Sequence, residues 1–169
     1  LSLGAGLLGG KMNLQGQWEI GQEAAAKSGK ELRREDWRLV IRVHLADSRE
    51  EAIRDVEEGR EYKRHHYFRR VAGLKNDSTL EQEIAEDAAI VGTPDDMIAA
   101  VERLQEATGG FGTFLVLAHD WANREKTLRS YELMARYVVP LFQGMLDPIR
   151  ASYDTVVAHK RDFGGPAMA

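Results

Sequence analysis

The sequence predicts an α/β fold built on a parallel sheet. Residues 37–46 (WRLVIRVHLA) alternate between apolar and mixed positions, which is typical of a strand. Residues 114–118 (FLVLA) form a short apolar run that suits a strand covered on both faces. Each segment is followed by apolar residues at helical spacing. This order of strand and helix indicates a parallel sheet or part of a (β/α)8 barrel.

Composition limits the classes of protein to which the chain can belong. The chain has 169 residues, enough for one domain with a core, and it has no cysteine and a formal net charge of −4. The missing cysteines exclude disulfides, a thiol nucleophile and a zinc–thiolate site. The charge argues against a general nucleic-acid binder, and no apolar run approaches the ~18 residues of a membrane span. We therefore expect a cytoplasmic protein with neither nucleic acid nor membrane as a partner.

The beginning of the chain predicts a short strand at residues 2–5, a glycine-rich turn and a helix. The spacing of Gly4, Gly6, Gly9 and Gly10 matches neither standard nucleotide-binding pattern, so a flexible turn is favoured over a phosphate loop. The helix is predicted to end at Gly29. Its buried face is marked by Leu14, Trp18, Gly21 and Ala25.

The strand at residues 37–46 has two different faces. One face is fully apolar, and the other carries Arg38, Val40, Arg42, His44 and Ala46. In a barrel the apolar face lies under the outer helices and the mixed face points inward, with His44 nearest the carboxyl end. The alternative is a polar edge strand with exposed arginines, and the pattern leaves both open.

A long helix is predicted from Ser48 and Glu51, which have the spacing of a capping box. Its middle, residues 62–70 (YKRHHYFRR), mixes cations with aromatic rings. Such a mixture is compatible with stacking on nucleic acid or with a metal site at His65 and His66. Adjacent helical residues point about 100° apart, which makes the histidines a poor chelate. A solvated helix face with two core aromatics is the favoured interpretation.

The second half of the chain predicts a short acidic helix at residues 81–87 and a longer one that begins at Thr93 and Pro94 and ends at Gly109. Three strands are predicted in all. Residues 146–169 are expected to form a mixed tail. A last helix should bury a stripe of apolar residues, namely Leu128, Tyr131, Ala135, Val138 and Phe142.

The strongest candidate site follows the apolar strand, at His119, Asp120 and Trp121. Catalytic groups in parallel folds lie where strands end. His119 and His44 are candidate proton donors or relays, and Trp121 is a candidate apolar wall. The structural alternatives are that His119 caps the last helix, that Asp120 is its N-cap and that Trp121 is plain core.

Four segments, taken together, resemble the luciferase-like flavin-dependent monooxygenases, which include limonene-monooxygenase-like enzymes. They are WRLVIRVHLADSREEA (37–52), VGTPDD (91–96), LAHDWA (117–122) and SYELMARYVVPLFQG (130–144). The resemblance implies that residues 1–145 are the C-terminal part of a (β/α)8 TIM barrel, about its last three βα units. It also implies an enzyme in which reduced FMN and O2 oxidise a small organic substrate, with electrons from NAD(P)H delivered by a flavin reductase.

The resemblance further implies which residues act, and it implies no metal. The candidate cofactor-binding residues are Leu3, Gly4, Ala5 and Trp121. The candidate catalytic residues, near the barrel mouth, are His44, His119 and Asp120. The family's phosphate-binding segment lies before the strand at residues 2–5, so no phosphate ligand is assigned.

Two alternatives to the monooxygenase stay open. One is a deazaflavin-dependent oxidoreductase of the same superfamily, and the other is a non-catalytic, flavin-free barrel subunit. Because three parallel strands leave two open edges, we expect a homo-oligomer or association with the remaining barrel half. We also expect the chain on its own to be inactive.

Overall fold

One parallel sheet lies at the centre of the computed structural model, which describes residues 2–4, 14–71, 73 and 78–159. Its four strands are β1 (Ser2–Gly4), β2 (Arg38–Leu45), β3 (Ala89–Gly92) and β4 (Thr113–Leu117). The α/β class is confirmed, but the prediction of three strands is wrong. The sequence pattern missed β3 because four residues are too few to show a period, and they directly precede the helix start at Thr93.

Strand β2 is the central strand of the sheet. Its residues Arg38, Leu39 and Val40 pair in parallel with both β1 and β4, and Arg42 pairs with both β3 and β4. Therefore β1 and β3 lie along one side of β2, and β4 lies along the other. The predicted parallel arrangement of the strands at residues 37–46 and 114–118 is confirmed. The alternative that the first of these is a polar edge strand is wrong.

Seven α-helices are described around this sheet. Two π-helical turns, Arg64–Arg69 and Met134–Val138, continue the second and fifth of them. None of the described helices is long and apolar enough to cross a membrane. The helices are α1 (Leu14–Lys27), α2 (Arg49–Lys63), α3 (Leu80–Ala85), α4 (Pro94–Thr108), α5 (Arg124–Leu133), α6 (Val139–Phe142) and α7 (Asp147–Ala158).

The helix boundaries follow the local signals in the sequence. The Ser48 hydroxyl accepts a hydrogen bond from the Glu51 amide at the start of α2. Thr93 and Asp96 form a full capping box at the start of α4, and Gly109 ends that helix with a left-handed φ of 68°. Residues 146–169 were expected to be a mixed tail, but part of this segment forms the exposed helix α7. The segment with Gly6, Gly9 and Gly10 lies outside the described residues.

Helices cover both faces of the sheet. The apolar face of β2 packs against α1, α4 and the end of α5, around Trp37, Leu39 and Ile41. The opposite face packs against α2, α3 and Trp121. A barrel instead has all of its helices in one outer ring. The carboxyl half of the mixed face of β2, predicted to point inward, is instead buried under α2, whereas Arg38 at its start is exposed.

The predicted stripe of the last helix is largely wrong. Val138 is buried, but Leu128, Tyr131 and Phe142 are exposed. The π-helical turn at Met134–Val138 adds a residue to the helical repeat. A single 3.6-residue period therefore does not describe both α5, before the turn, and α6, after it. The side chains that are buried here belong to Ser130, Leu133, Met134 and Val138.

Candidate functional site

A groove lies at the carboxyl end of β4, facing the end of α2 and the π-helical turn that follows it. Its volume is about 440 Å³, within the range of small-molecule sites. One wall is helical and the other is formed by residues 117–121. The lining side chains are Arg42, Tyr62, Lys63, His66, Tyr67, Phe68, Leu117, Ala118, His119, Asp120 and Trp121.

Both ring nitrogens of His119 contact backbone groups. Nε2 lies 3.0 Å from the carbonyl oxygen of Val43, and the amide of Trp121 lies 3.4 Å from Nδ1. A carbonyl only accepts, so we assign the hydrogen to Nε2 and the lone pair to Nδ1. Burial lowers the pKa of His119 to about 4, against the opposing effect of the Val43 carbonyl. His119 is therefore a neutral imidazole whose longer, weaker contact is at Nδ1.

His44 lies behind His119, under α2. Its side chain is only 1% exposed, and its ring centroid is 6.3 Å from that of His119. His44 Nε2 is 3.3 Å from Oδ2 of Asp55, whose other oxygen is 3.7 Å from Nζ of Lys126. Burial lowers the pKa of His44, although Asp55 opposes this shift. The pair of His44 and Asp55 thus joins the sheet to α2 and leads outward to Lys126.

Trp121 fills the space between the sheet and α2. Its indole ring is buried and lies 4.5 Å from the His119 ring, and the Arg42 guanidinium is 5.1 Å from its centroid. Gly59 of α2 packs directly on its backbone, since a Cβ on Gly59 would be 2.2 Å from the Trp121 carbonyl oxygen. Trp121 is buried, as the interpretation as plain core predicted, and it also lines the groove.

Asp120 points outward from the same turn. Its carboxylate is exposed and is 2.9 Å from Nζ of Lys63, and this hydrogen bond lowers the pKa of Asp120. The N-cap of α5 is Asn123, which accepts from the Lys126 amide. The two capping alternatives, His119 as a cap and Asp120 as the N-cap, are therefore wrong.

The structure does not bring β1 to this site. Leu3 pairs with Leu39 and Gly4 pairs with Val40, four residues before His44. At about 3.3 Å per residue, this separates Gly4 from the level of His44 by roughly 13 Å along β2. In a parallel barrel the carboxyl ends of all strands lie at one rim, which predicts Gly4 and His44 at the same level, and the register of β1 differs from that prediction. Ala5 lies outside the described residues.

Sequence reasoning missed the part of the site that α2 contributes. Asp55, Gly59 and Lys63 are spaced four apart and share one face of that helix, next to His44, Trp121 and Asp120 respectively. A glycine inside an otherwise strong helix was the available signal. In the described part of the chain, no group of three or more His, Cys, Asp or Glu residues is placed to hold a metal ion.

Comparison with known proteins identifies relatives of one kind, although no protein-family model matches the chain. It is 41% identical to 4-hydroxyprotoasukamycin monooxygenase from Streptomyces nodosus subsp. asukaensis, over 88% of this chain and 42% of that protein. It is 35% identical to limonene 1,2-monooxygenase from Rhodococcus erythropolis, over 95% of this chain and 43% of that protein. The chain thus spans about two fifths of the length of these relatives.

A solved structure resembles the fold of the same segment. It is the oxygenating constituent of 3,6-diketocamphane monooxygenase from Pseudomonas putida, a type II Baeyer–Villiger monooxygenase in complex with FMN. The TM-score is 0.57 at 31% identity, over 75% of this chain and 39% of that one. The resemblance that the sequence segments predict is confirmed by these monooxygenase relatives.

Proposed function

We infer that this chain is part of a luciferase-like flavin-dependent monooxygenase. The intact enzyme would use reduced FMN and O2 to oxygenate a small organic substrate. The observation that carries this proposal is the groove at the end of β4, where a buried indole and a neutral histidine line a ligand-sized space. Oxygenation by a flavin requires a shaped pocket that excludes water and has few strong nucleophiles, and the buried indole and the neutral histidine are side chains that suit the wall of such a pocket.

The described residues fit the ring of FMN. A flavin ring needs flat apolar walls with hydrogen-bonding groups at its edge. Leu117, Ala118 and Trp121 supply such a wall, and the Nδ1 of His119 lies at its edge. When bound, reduced FMN supplies the electrons that activate O2. The family resemblance alone supports Leu3, Gly4 and Ala5 as further flavin neighbours, and the register of β1 does not place Leu3 and Gly4 at this groove.

The polar residues in and behind the groove have separate proposed roles. Because His119 is neutral and carries its hydrogen on Nε2, its proposed role is to accept a hydrogen bond at Nδ1 in exchange for the Trp121 amide. His44 would hold the sheet side of the site, and its proposed role is to exchange a proton with the Asp55 carboxylate, which Lys126 keeps ionised. Asp120 would orient the Lys63 ammonium at the groove edge.

A (β/α)8 barrel in the intact enzyme is part of this proposal. All four described strands are parallel and are connected through helices, as in a barrel, and the chain matches only about two fifths of its relatives. In one respect this sheet differs from a closed barrel: it has helices on both faces, whereas a barrel has helices on its outer face alone. A flavin reductase that delivers the reduced FMN, and a homo-oligomeric state, belong to the same proposal.

An assay of the full-length protein that contains this chain tests the function. Reduced FMN, O2 and a panel of cyclic alkenes and ketones are supplied, and oxygenated products are identified by mass spectrometry. We expect product that depends on FMN and incorporates label from ¹⁸O₂. Turnover with a reduced deazaflavin and none with FMN would instead identify the deazaflavin oxidoreductase, and no flavin binding at all would identify a non-catalytic subunit.

A further inference from the structure

Strand β2 extends beyond β4 at its carboxyl end. The last residue of β4, Leu117, pairs with Arg42, and β2 continues for three further residues to Leu45. These three residues are buried. Buried backbone amides and carbonyls are costly to leave without a hydrogen-bond partner. The end of β2 therefore needs partners other than a strand on the side that carries β4.

Two side chains supply partners on that side. The Trp37 carbonyl accepts hydrogen bonds from the amides that lead into β4. Val43 and Leu45 lie an even number of positions after Trp37, so their backbone groups point to the same side of the strand. The Val43 carbonyl accepts from Nε2 of His119 over 3.0 Å. The Leu45 amide donates to the hydroxyl of Ser130 over 2.8 Å. Side chains thus continue the hydrogen bonding of β2 where β4 has ended.

Ser130 is a buried polar residue of α5 that does not line the groove. Its side chain is 1% exposed, and it lies 85 positions after Leu45 in the chain. Serine is less favourable than alanine inside a helix, and an apolar side chain is the more common occupant of a buried position. The hydrogen bond from the Leu45 amide accounts for a hydroxyl at this place.

His44 lies between the two residues that are held in this way. Its own backbone faces the other side of β2 and pairs with Val91 of β3. On the face covered by α2, its Nε2 is 3.3 Å from Oδ2 of Asp55. This distance is at the long end for a hydrogen bond, so a displacement of about 0.3 Å would break it. The contact of His44 with Asp55 is therefore sensitive to the position of the end of β2.

We propose that Ser130 is a positioning residue for His44. Its hydroxyl holds the Leu45 amide and so keeps the end of β2 at the distance from α2 at which His44 reaches Asp55. Ser130 acts only through the strand. The consequence for turnover rests on the proposed function, whereas the positioning of the ring does not.

NMR of the His44 ring nitrogens tests the positioning in the full-length protein that contains this chain. Burial lowers the pKa of His44, so its ring is neutral at pH 8. A carboxylate only accepts, which puts the hydrogen on Nε2. We expect this single tautomer in the unsubstituted protein and a mixture of both tautomers in Ser130→Ala. The His44 signals are assigned by their loss in His44→Gln.

Two further variants separate the hydroxyl from stability. Ser130→Thr retains a hydroxyl and should retain the single tautomer, and identical spectra of the threonine and alanine variants would overturn the proposal. Val101→Ala removes core contacts on the face of the sheet away from His44. It should lower the urea midpoint, as Ser130→Ala does, without changing the tautomer. The same mixture in Val101→Ala would show that His44 responds to any loss of stability, and the proposal would fail.

Kinetics of the full-length protein distinguish this proposal from the proposed function. With reduced FMN and O2, Ser130→Ala is expected to lower kcat threefold to tenfold and to change KM less than twofold. In the His44→Gln background the same exchange should lower kcat no further, because the serine acts through His44. A full additional loss there would overturn the proposal. If no oxygenated product forms but the tautomer responds as expected, the proposed function fails and the positioning stands.

Discussion

Nε2 of His119 donates a hydrogen bond to the carbonyl oxygen of Val43 over 3.0 Å, and this bond ties the turn after β4 to the central strand. The two residues are 76 positions apart in the chain. The bond fixes the ring orientation and the tautomer, and it leaves only Nδ1 towards Trp121. A residue chosen from the sequence as a proton donor is therefore held as a neutral acceptor.

Stability should fall in acid because of this histidine. The pKa of His119 is lowered from an ordinary value near 6.5 to about 4, so the unfolded chain binds a proton between these values and the folded chain does not. The contribution is intact above pH 6.5, is lost progressively as the pH falls to about 4, and then levels off. Urea unfolding at pH 7.5, 6.0, 5.0 and 4.5 measures it. His119→Asn should show a shallower decline than the unsubstituted chain.

The control for that experiment is His65→Gln, which changes a half-exposed histidine of the π-helical turn. It should retain the slope of the unsubstituted chain. An identical slope in the His119 variant would show that this ring does not titrate as described. His44 remains in both variants, and because burial also lowers its pKa, a part of the decline should persist.

Gly59→Ala should destabilise the fold although alanine favours helices. The exchange gains about 1 kcal/mol of helix propensity. The new methyl group would overlap the Trp121 carbonyl, however, and overpacking of this kind costs about 1–3 kcal/mol. We expect this variant to unfold at a lower urea concentration. The emission maximum of Trp fluorescence should also shift, because the turn that carries Trp121 is displaced. Glu58→Ala, at an exposed neighbour on α2, should be nearly neutral, and equal behaviour of the two variants would contradict the close packing.

The ion pair of Arg60 and Glu83 should hold α3 against α2. Both side chains are buried, with distances of 2.9 and 3.2 Å between guanidinium nitrogens and carboxylate oxygens. Burial alone would raise the pKa of Glu83, but hydrogen bonds from Arg60 and Ser78 outweigh it and hold the pKa below its usual range. Arg60→Met should cost about 3–5 kcal/mol of unfolding free energy, since it removes the nearest cation from the buried carboxylate of Glu83.

The matched comparison is Lys27→Met, which breaks the exposed pair with Glu23. Surface pairs contribute about 0–1 kcal/mol, so this variant should unfold at nearly the original urea concentration. A similar small effect in both variants would show that the buried pair is as weakly coupled as the surface pair. The lowered pKa of Glu83 also predicts a loss of stability in acid. Its contribution is fully present above the ordinary pKa of 4.5 and is lost as the pH falls through the lowered pKa of the folded chain.

The free side of β4 should make the isolated chain self-associate. Among the described strands β4 pairs only with β2, and its residue Leu115 is 38% exposed. Open apolar edges invite pairing with another chain, and a lysine on the edge opposes it. Sedimentation velocity of Leu115→Lys should show more monomer than the unsubstituted chain. Ile20→Lys, at an exposed position of α1, should not, and a chain that is monomeric without any substitution would contradict the prediction.

FMN should bind weakly or not at all to these 169 residues alone. The described groove offers walls to the flavin ring, and no phosphate ligand is assigned among the described residues. Titration with FMN, followed by flavin fluorescence, measures the affinity, and bovine serum albumin serves as a non-specific control. Tight stoichiometric binding by a monomer would show that the cofactor site is complete without further chain.

Local signals in the sequence determined most of the elements. Ser48, Thr93 and Gly109 mark helix ends through contacts within a few residues, and the alternation at residues 37–46 identifies β2. The resemblance to the monooxygenases also followed from short segments, and the relatives found by comparison are monooxygenases. His44, His119 and Trp121 were likewise found from their place at strand ends, and the structure brings them together.

Only the tertiary structure decided how these elements pack. The four residues of β3 have no period of their own and become a strand through pairing with β2. The cover of the mixed face by α2, and with it the partners Asp55, Gly59 and Lys63, depends on contacts between segments up to 62 positions apart along the chain. The protonation state of His119 depends on burial and on Val43. Periodicity within one segment carries no information on these long-range contacts, because burial and hydrogen bonding are properties of the assembled fold.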